Sequence, residues 1–115
     1  MEKPLVSIIT VVYNKASHIR NAIHSVLSQV YPNIEYIVVD GGSTDGTIEI
    51  IEEYRSKIPI IFSEPDEGIY DALNKGIRNA SGDIIGILHS DDIFTDKYVV
   101  SDMIREIEDE ELELI

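Results

Sequence analysis

The sequence predicts an α/β domain in which a mostly parallel β-sheet is flanked by helices. Four short stretches of β-branched and aliphatic residues alternate with segments in which apolar residues recur every three or four positions. The first stretch, residues 5–12, is a continuous run rather than an alternating one, which is typical of a strand covered on both faces in a parallel sheet. The alternation of strand and helix therefore favours right-handed crossover connections.

Four strands and four helices are predicted in turn. The strands are expected at residues 5–12, 35–39, 59–62 and 84–88. The first helix is expected to begin at an N-cap, Ser17, and to run to Gln29 or Val30. The three later helices are predicted from inner faces formed by Ile48, Ile51 and Tyr54; by Ile69, Ala72, Leu73, Gly76 and Ile77; and by Tyr98, Val99, Met103, Ile104 and Ile107.

The last residues of the chain, 111–115, alternate polar and apolar side chains, which predicts the beginning of another strand. A chain that stops inside a strand is expected to be the N-terminal part of a longer protein, or to complete its sheet with another chain. We therefore expect a sheet truncated after about four strands. Its open edge would be available for self-association.

Length and composition restrict the class of protein. Residues 1–115 are expected to form a single domain. The net charge of −13 argues against binding nucleic acid through a basic face. The sequence contains no cysteine, which excludes disulfides and thiolate metal sites. With no signal peptide and no long apolar run, a cytoplasmic location is predicted, and peripheral attachment to the inner face of the membrane stays open.

Two adjacent carboxylates, Asp91 and Asp92, follow the predicted fourth strand. Because apolar residues flank the pair, we expect it to be held at the end of a buried strand. Like charges this close are costly unless a cation neutralises them. Hard oxygen ligands suit Mg²⁺ or Mn²⁺, and these ions usually carry phosphates. The pair therefore predicts a metal site for a phosphate-bearing ligand, with helix capping as the structural alternative.

Two further polar groups follow the first and second strands. Thr10, Tyr13 and Asn14 lie at the end of the first strand, and Asp40 with its glycines follows the second. Ligands of open parallel sheets bind outside the carboxyl ends of the strands, so these groups should converge with the acidic pair in one crevice. Asp40 could accept a hydrogen bond from a base or ribose, or could form a turn; Tyr13 could flank a base, or cover the sheet end. The sequence has neither a P-loop nor a G-x-G-x-x-G motif.

Several stretches occur in a recognisable order, at residues 6–14, 25–29, 35–47, 68–76, 81–83 and 90–92. As a set, they resemble the opening of a family 2 glycosyltransferase with a GT-A, Rossmann-like fold. The segment Asp-Gly-Gly-Ser-Thr-Asp-Gly-Thr, at residues 40–47, is the most distinctive part. Residues 90–92 are similar to the D-x-D-type element of that family.

The resemblance implies a site for a nucleoside-diphosphate sugar, with a UDP-sugar as the expected donor, and for a divalent metal, Mn²⁺ or Mg²⁺. The base and ribose pocket would be lined by Thr10, Val12, Tyr13 and Asn14. Asp40 would hydrogen-bond the base, and Asp71 and Lys75 would lie near the ribose or diphosphate, although Lys75 alone is typical of an exposed helix lysine. Asp91 would lie by the ribose and the metal, and Asp92 would be the principal metal ligand.

The resemblance also implies the reaction. A sugar would pass from the donor to an acceptor hydroxyl in glycan or polysaccharide synthesis, with the metal assisting departure of the nucleoside diphosphate. Inverting transfer needs a base that deprotonates the acceptor, and no carboxylate of this sequence matches that position. We therefore expect the base and the site for a glycan or lipid-linked acceptor to lie beyond residue 115, so that this chain alone is inactive. His89 departs from the family pattern, in which a small or amide residue is common.

Other classes of protein stay open from the sequence. A non-catalytic nucleotide-binding or dimerisation module would use the same fold without transferring a sugar. A sugar nucleotidyltransferase-like domain would need a glycine-rich first loop ending in Arg and Lys, which residues 13–17 lack. A receiver-like domain would need its acidic pair after the first strand, whereas here the pair follows the fourth.

Overall fold

The computed structural model describes residues 3–114, with side chains over residues 3–108. Strands and helices alternate along the chain, as the sequence predicts. The strands are β1 (Val6–Val12), β2 (Ile34–Asp40), β3 (Ile60–Ser63) and β4 (Ile84–Ile87). The helices are α1 (Ala16–Leu27), α2 (Thr47–Glu52), α3 (Ile69–Arg78) and α4 (Val99–Leu114).

The strands form a parallel sheet in the order β3-β2-β1-β4. The central strands β1 and β2 are in register from Val6 opposite Ile34 to Val12 opposite Asp40. β1 is buried along its whole length, which explains its run of β-branched residues. The chain places β2 and β3 on one side of β1 and then crosses to the other side for β4, and ligands of open α/β sheets bind at such a switch point. The predicted α/β class is confirmed.

Successive strand residues point into two separate cores. On one face, Ile8 and Val38 pack with residues of α1, α2 and α4 that include Ile23, Ile51 and Val100. The smaller core on the other face is formed with α3 and comprises Ile9, Val11, Ile37, Val39 and Ala72. The sheet is thus a central layer between helices, and its loops gather at its two ends.

β4 is covered on one face only, whereas the sequence predicts a buried strand at residues 84–88. The side chains of Ile85 and Ile87 are 43% and 47% exposed. Both lie on the face that carries α3, because Ile87 is in register with Ile9 of the α3 core. α3 packs mainly over β1 and β2 and leaves these β4 side chains partly exposed. The prediction was wrong for this face because no local pattern shows how far a helix extends across a sheet.

The strand predicted at residues 111–115 is not formed, since residues 111–114 belong to α4. Ile115 lies outside the described residues. Glu and Leu have high helix propensity, and extending an existing helix costs much less than starting one. A short alternation of polar and apolar residues therefore does not decide the structure here. The open edges of the described sheet belong to β3 and β4.

The start of α1 also differs from the prediction. The helix begins at Ala16, so Ser17 lies in its first turn rather than at the N-cap, and its hydroxyl contacts the ring of His18. The N–H of Ala16 instead donates to the carboxylate of Asp45 at 3.1 Å. A distant loop therefore caps α1, and a local capping pattern does not reveal such a partner.

The predicted inner faces of α3 and α4 are only partly buried. Ala72 is buried in α3, whereas Ile69 and Ile77 are 47% and 43% exposed. In α4 the buried side chains are Ile104 and Val100, and the predicted face omits Val100. The exposed residues of the predicted α4 face are Tyr98, Met103 and Ile107. The helical periodicity is therefore correct. The buried direction of α4 is rotated from the predicted one, whereas the predicted face of α3 is buried at its centre and exposed at its flanks.

Candidate functional site

A crevice of about 700 Å³ opens at the carboxyl ends of β1, β2 and β4, a volume in the usual range for small-molecule sites. Its walls are formed by the ends of these strands, the loop after β3 and the start of α3. Three of the predicted site residues line it together, namely Val12, Tyr13 and Asp91. Tyr13 is 59% exposed, so more than half of its surface is accessible to a ligand. The predicted convergence of strand ends in one crevice is therefore present for these residues.

Asp40, the last residue of β2, is fully buried next to the crevice and holds the loop that follows it. Its Oδ2 accepts hydrogen bonds from the N–H groups of Gly42 and Ser43, both at 3.1 Å, and from the hydroxyl of Ser63 at 2.9 Å. Its Oδ1 accepts a further hydrogen bond from the Ser43 hydroxyl. Asp40 therefore stabilises a turn, which is the structural alternative that the sequence left open, and it does not line the crevice.

Asn14 joins the end of β1 to the same loop. Its side-chain oxygen accepts a hydrogen bond from the N–H of Thr44 at 2.8 Å, and its own N–H donates to the Ser43 hydroxyl at 2.8 Å. Its φ of 51° lies in the left-handed region, which Asn adopts more readily than most residues. Asn14 therefore positions the loop and does not line the crevice.

Asp45 and Thr47 anchor the far end of this loop. The Asp45 carboxylate accepts hydrogen bonds from the hydroxyl and the N–H of Thr47 and from the N–H of Ala16. The hydroxyl of Thr47 is the main cause that lowers the pKa of Asp45, so this carboxylate is charged at neutral pH. The Thr47 hydroxyl also accepts a hydrogen bond from the N–H of Lys15 at 3.0 Å. The loop is therefore fixed at both ends by the protein itself.

The loop after β3 crosses close to the loop after β2. A Cβ on Gly41 would lie 2.9 Å from Asp66 Oδ2, and a Cβ on Gly42 would lie 3.2 Å from the Cα of Pro65. Gly42 also has a φ of 89°, so a side chain at this position would be both strained and crowded. Asp66 Oδ1 accepts a 3.0 Å hydrogen bond from the N–H of Gly68. The glycines thus let the two loops meet, and together they form one wall of the crevice.

The carboxylate pair follows β4 in a turn at the edge of the crevice. Asp91 lines the crevice, whereas Asp92 is exposed and lies outside the lining. The N–H of Asp92 donates to the carbonyl of His89 at 3.0 Å, which closes the turn. At the start of α4 the N–H of Tyr98 donates a 2.8 Å hydrogen bond to the carboxylate of Asp96. The Asp91–Asp92 pair therefore does not cap that helix.

The chemistry of the pair fits Mg²⁺ or Mn²⁺ in combination with a phosphate. Among the described residues, no group of three or more acidic or histidine side chains is placed to hold a metal ion. A dedicated protein cage is therefore not formed there. Mg²⁺ is usually bound by one or two carboxylates plus substrate phosphates. Asp91, on the crevice wall, and Asp92, next to it in the same turn, are the residues that would hold such an ion.

Thr10 is not brought to the crevice. Its side chain is fully buried, and its hydroxyl shares a 2.9 Å hydrogen bond with that of Tyr36. Burial raises the pKa of Tyr36, so both hydroxyls stay neutral and either can donate. A ligand contact by the Thr10 side chain is therefore not supported, because side chains alternate along β1 and this one points into the core.

Asp71 and Lys75 also make contacts within the protein. The Asp71 carboxylate accepts a 3.0 Å hydrogen bond from the N–H of Glu67, which fixes the turn before α3. The ammonium of Lys75 lies 2.6 Å from the carboxylate of Glu64, and the Lys75 side chain is only 14% exposed. Lys75 is thus not the exposed helix lysine of the structural alternative. Neither residue lines the crevice.

Several crevice residues are absent from the predicted set. They are Val11, Lys15, Pro65, Asp66, Gly68, Ile69, Ala72 and His89. His89 adjoins the acidic pair, and Lys15 follows Tyr13 and Asn14, so their nearness in sequence could have indicated them. Pro65 and Asp66 lie in a loop after a short edge strand, and the close approaches at Gly42 and Gly41 bring them to the site.

The parallel sheet and the crevice at its carboxyl edge define an α/β domain of the Rossmann-like type. A family model described as "Glycosyl transferase family 2" matches residues 7–115, and the chain belongs to that family. TuaG of Bacillus subtilis (strain 168), a glycosyltransferase assigned provisionally to teichuronic acid biosynthesis, is 42% identical over 93 residues. That match covers 78% of this chain and 37% of TuaG.

Solved structures with the same fold include two glycosyltransferases with bound nucleotide sugars. Staphylococcus aureus TarS 1-349, in complex with UDP-GlcNAc, has a TM-score of 0.83 and 29% sequence identity. The mannosyltransferase PcManGT from Pyrobaculum calidifontis, in complex with GDP-Man and Mn²⁺, has a TM-score of 0.82 and 28% identity. Each match covers 91% of this chain and about a third of the other protein. The predicted GT-A fold is therefore confirmed.

The chain spans roughly a third of the length of the curated relatives that it matches. Over the part of the chain that the structure describes, no helix has both the length and the apolar character needed to cross a bilayer.

Proposed function

We propose that residues 1–115 form the donor-binding portion of a glycosyltransferase and bind a nucleoside-diphosphate sugar in the crevice. The observation that carries this proposal is the meeting of an exposed aromatic ring, a glycine-rich loop and an acidic turn at one edge of the sheet. A ring can stack on a nucleobase, and a carboxylate pair can hold the cation that a diphosphate requires.

The proposed ligand lies across three segments of the crevice wall. Val12 and Tyr13 contact the base, because they are the apolar and aromatic residues at the end of β1. Asp91 holds the ribose and, with Asp92, the metal. A bound Mn²⁺ or Mg²⁺ would supply charge neutralisation at the diphosphate, which assists its departure from the sugar. Lys15 adds a positive charge to the same crevice, where it would favour an anionic ligand.

Asp40 and Asn14 have supporting roles in this proposal. Their hydrogen bonds to Ser43 and Thr44 preorganise the loop whose glycines form the crevice wall. A loop held in its bound form loses less conformational entropy when a ligand arrives. Asp40 is fully buried, so it would contact a base only after the loop around it moved, which we do not propose.

Asp71, in the first turn of α3, and Lys75, in its last turn, have structural roles in this account. Lys75 would reach a diphosphate only after leaving the Glu64 carboxylate, so the ion pair competes with the ligand. Asp71 holds the turn at Glu67, next to the crevice residue Gly68. Both residues are therefore proposed to position the crevice wall in the unliganded chain.

The donor is proposed to be a UDP-sugar, and the full protein to transfer its sugar to a glycan or lipid-linked acceptor with inversion. The UDP-GlcNAc bound by TarS supports a donor with a uridine nucleotide. Because PcManGT binds GDP-Man, a donor with a guanosine nucleotide is the alternative to test. The catalytic base and the acceptor site are proposed to lie outside these 115 residues, so the chain alone should bind donor without transferring sugar. The cytoplasmic location stays a prediction.

The test of this proposal is calorimetric titration with UDP, GDP and dTDP in the presence of Mn²⁺. We expect UDP to bind, and Tyr13→Ala to weaken UDP binding about 5- to 150-fold, because loss of a base–aromatic stack costs about 1–3 kcal/mol. Tyr98→Ala is the matched control, since Tyr98 is 49% exposed and does not line the crevice. Equal weakening by both substitutions would contradict the crevice as the binding site.

A further inference from the structure

Ser90 is a buried polar residue on the wall of the crevice, in the turn between β4 and Asp92. Only 6% of the residue is exposed. Among the described residues, no group forms a hydrogen bond with its hydroxyl, whereas every side-chain oxygen or nitrogen that is closed off from solvent there has a partner. The Ser90 hydroxyl is therefore not closed off, and the opening available to it is the crevice that the residue lines.

The other buried Ser and Thr hydroxyls of the described chain are bonded within the protein. They belong to Ser7, Thr10 and Thr47, whose hydrogen-bond partners are Glu35, Tyr36 and Asp45 respectively. None of these three hydroxyl residues lines the crevice. A buried polar group without a partner costs free energy, so such a group in a folded protein calls for an explanation. Because so little of Ser90 is exposed, a partner for its hydroxyl has to reach it through the crevice.

The turn around Ser90 offers a ligand two carboxylates and one buried hydroxyl. The ionised carboxylates of Asp91 and Asp92 only accept hydrogen bonds. The N–H of Asp92 is already donated to the carbonyl of His89, at 3.0 Å. A phosphate oxygen also only accepts, so it needs a cation or a donor, and the Ser90 hydroxyl is a donor on the same turn as the acidic pair.

We propose that the Ser90 hydroxyl donates a hydrogen bond to the diphosphate of the bound nucleotide sugar, next to the cation held by Asp91 and Asp92. The inference rests on the proposed function, and it adds a residue that recognises the diphosphate directly. A serine that is buried before the ligand arrives has little rotamer freedom left to lose on binding. A hydrogen bond at such a site is also stronger than one in open water.

Lys15 lines the same crevice, but it would act on the diphosphate in a different way. Its side chain is exposed, so its ammonium attracts an anion mainly through charge, and dissolved salt screens that attraction. The Ser90 hydroxyl is neutral and acts only over hydrogen-bond distance. The loss of affinity in Ser90→Ala should therefore persist at high salt, whereas the loss in Lys15→Met should shrink.

The first test compares the stability of two serine variants without ligand, by urea denaturation. Ser90→Ala should leave the unfolding midpoint unchanged or raise it, because it removes a buried hydroxyl that has no partner in the protein. Ser7→Ala is the matched control. It should lower the midpoint, because the Ser7 hydroxyl donates to Glu35 at 2.8 Å and accepts a hydrogen bond from the N–H of Gly82 at 2.9 Å.

The second test is calorimetric titration of the same chains with UDP and with uridine, both in the presence of Mn²⁺. Ser90→Ala should weaken UDP binding about tenfold or more, because a hydrogen bond to a charged group is lost. Binding of uridine, which has no phosphate, should not change. Ser7→Ala should bind UDP like wild type while it remains folded, because Ser7 lies near the start of β1, away from the crevice.

The outcomes separate this inference from the proposed function. A folded wild type that does not bind UDP would overturn both. UDP binding that is equal in wild type and Ser90→Ala would overturn the Ser90 contact alone. Equal weakening of UDP and uridine would place the hydroxyl at the nucleoside and contradict a diphosphate contact. A loss of stability in Ser90→Ala as large as that in Ser7→Ala would show that the hydroxyl is bonded within the protein.

Discussion

The carboxylate of Asp40 accepts a 2.9 Å hydrogen bond from the hydroxyl of Ser63, which joins the ends of β2 and β3 beside the crevice. The same carboxylate holds the loop after β2 through the N–H groups of Gly42 and Ser43. The sequence predicts that Asp40 hydrogen-bonds a nucleobase, but in the structure its carboxylate is hydrogen-bonded to the loops that form the site. This arrangement separates residues that touch the proposed donor from residues that hold the crevice open.

Asp40→Asn should lower the free energy of unfolding by about 1–3 kcal/mol, because the new NH₂ group would face N–H donors in a buried position. We expect nucleotide binding to weaken as the loop loosens. Ser63→Ala, which removes one of the donors, should shift stability in the same direction by about 1 kcal/mol. Urea denaturation measures both changes. An Asp40→Asn chain that unfolds like wild type but fails to bind UDP would show that Asp40 contacts the base directly.

Thr10→Val and Tyr36→Phe test the buried hydroxyl pair. Each single substitution leaves the other hydroxyl without its partner and should cost about 1–3 kcal/mol. The double variant should be less destabilised than the sum of the two, because no orphan hydroxyl remains. Affinity for UDP should stay unchanged throughout, and a selective loss of binding in Thr10→Val would return that residue to the ligand pocket.

Glu35 should make stability depend on acid pH. Partial burial by itself raises the pKa of Glu35, but hydrogen bonds from Ser81 and Ser7 more than offset that effect, so its pKa lies below the ordinary value of 4.5. A lowered folded-state pKa gives stability that is fully present above the unfolded pKa and is lost as pH falls through the folded value. Glu35→Gln should therefore flatten the stability profile below about pH 4.5.

The measurement is a series of urea midpoints for wild type and Glu35→Gln from neutral to acid pH. At neutral pH the variant should be less stable by about 1–3 kcal/mol, and the difference should shrink in acid. Glu53→Gln is a control on the surface, where the partner of the carboxylate is the exposed Arg20. Parallel profiles for wild type and Glu35→Gln would show that Glu35 has no lowered pKa.

Gly41→Ala tests the contact between the two crevice loops. Its Cβ would lie 2.9 Å from Asp66 Oδ2, so we expect a cost of about 1–3 kcal/mol from overpacking. In an Asp66→Ala background the same substitution should cost clearly less, because the crowded carboxylate is gone. Thermal unfolding of wild type, the two single variants and the double variant gives the coupling free energy between the two positions. An equal cost in both backgrounds would mean that the loops do not touch.

The sequence predicts the two central strands well because a strand that is buried on both faces carries an uninterrupted run of apolar and β-branched residues. β1 carries a β-branched run that has no polar face, and Asp40 marks the end of β2. The convergence of Val12, Tyr13 and Asp91 follows from the rule that parallel strands end at one edge. These inferences need only the positions of the strand ends.

The rest depends on tertiary partners that no local pattern reveals. An aspartate at a strand end binds a ligand or its own loop according to which donors surround it, and the Ser63 donor of Asp40 comes from another strand. The exposure of Ile87 depends on how far α3 extends over the sheet. The approach of Asp66 depends on the absence of a side chain at Gly41.

The coupling between metal and nucleotide tests the central claim most directly. UDP affinity is measured by calorimetry with and without Mn²⁺ for wild type, Asp91→Asn and Asp92→Asn, with uridine as the ligand that lacks phosphates. We predict that Mn²⁺ tightens UDP binding to wild type about tenfold or more, that this gain falls sharply in both variants, and that uridine shows no metal effect. A folded wild type that binds UDP equally well without metal, or does not bind it at all, would contradict a metal-dependent donor site in this crevice.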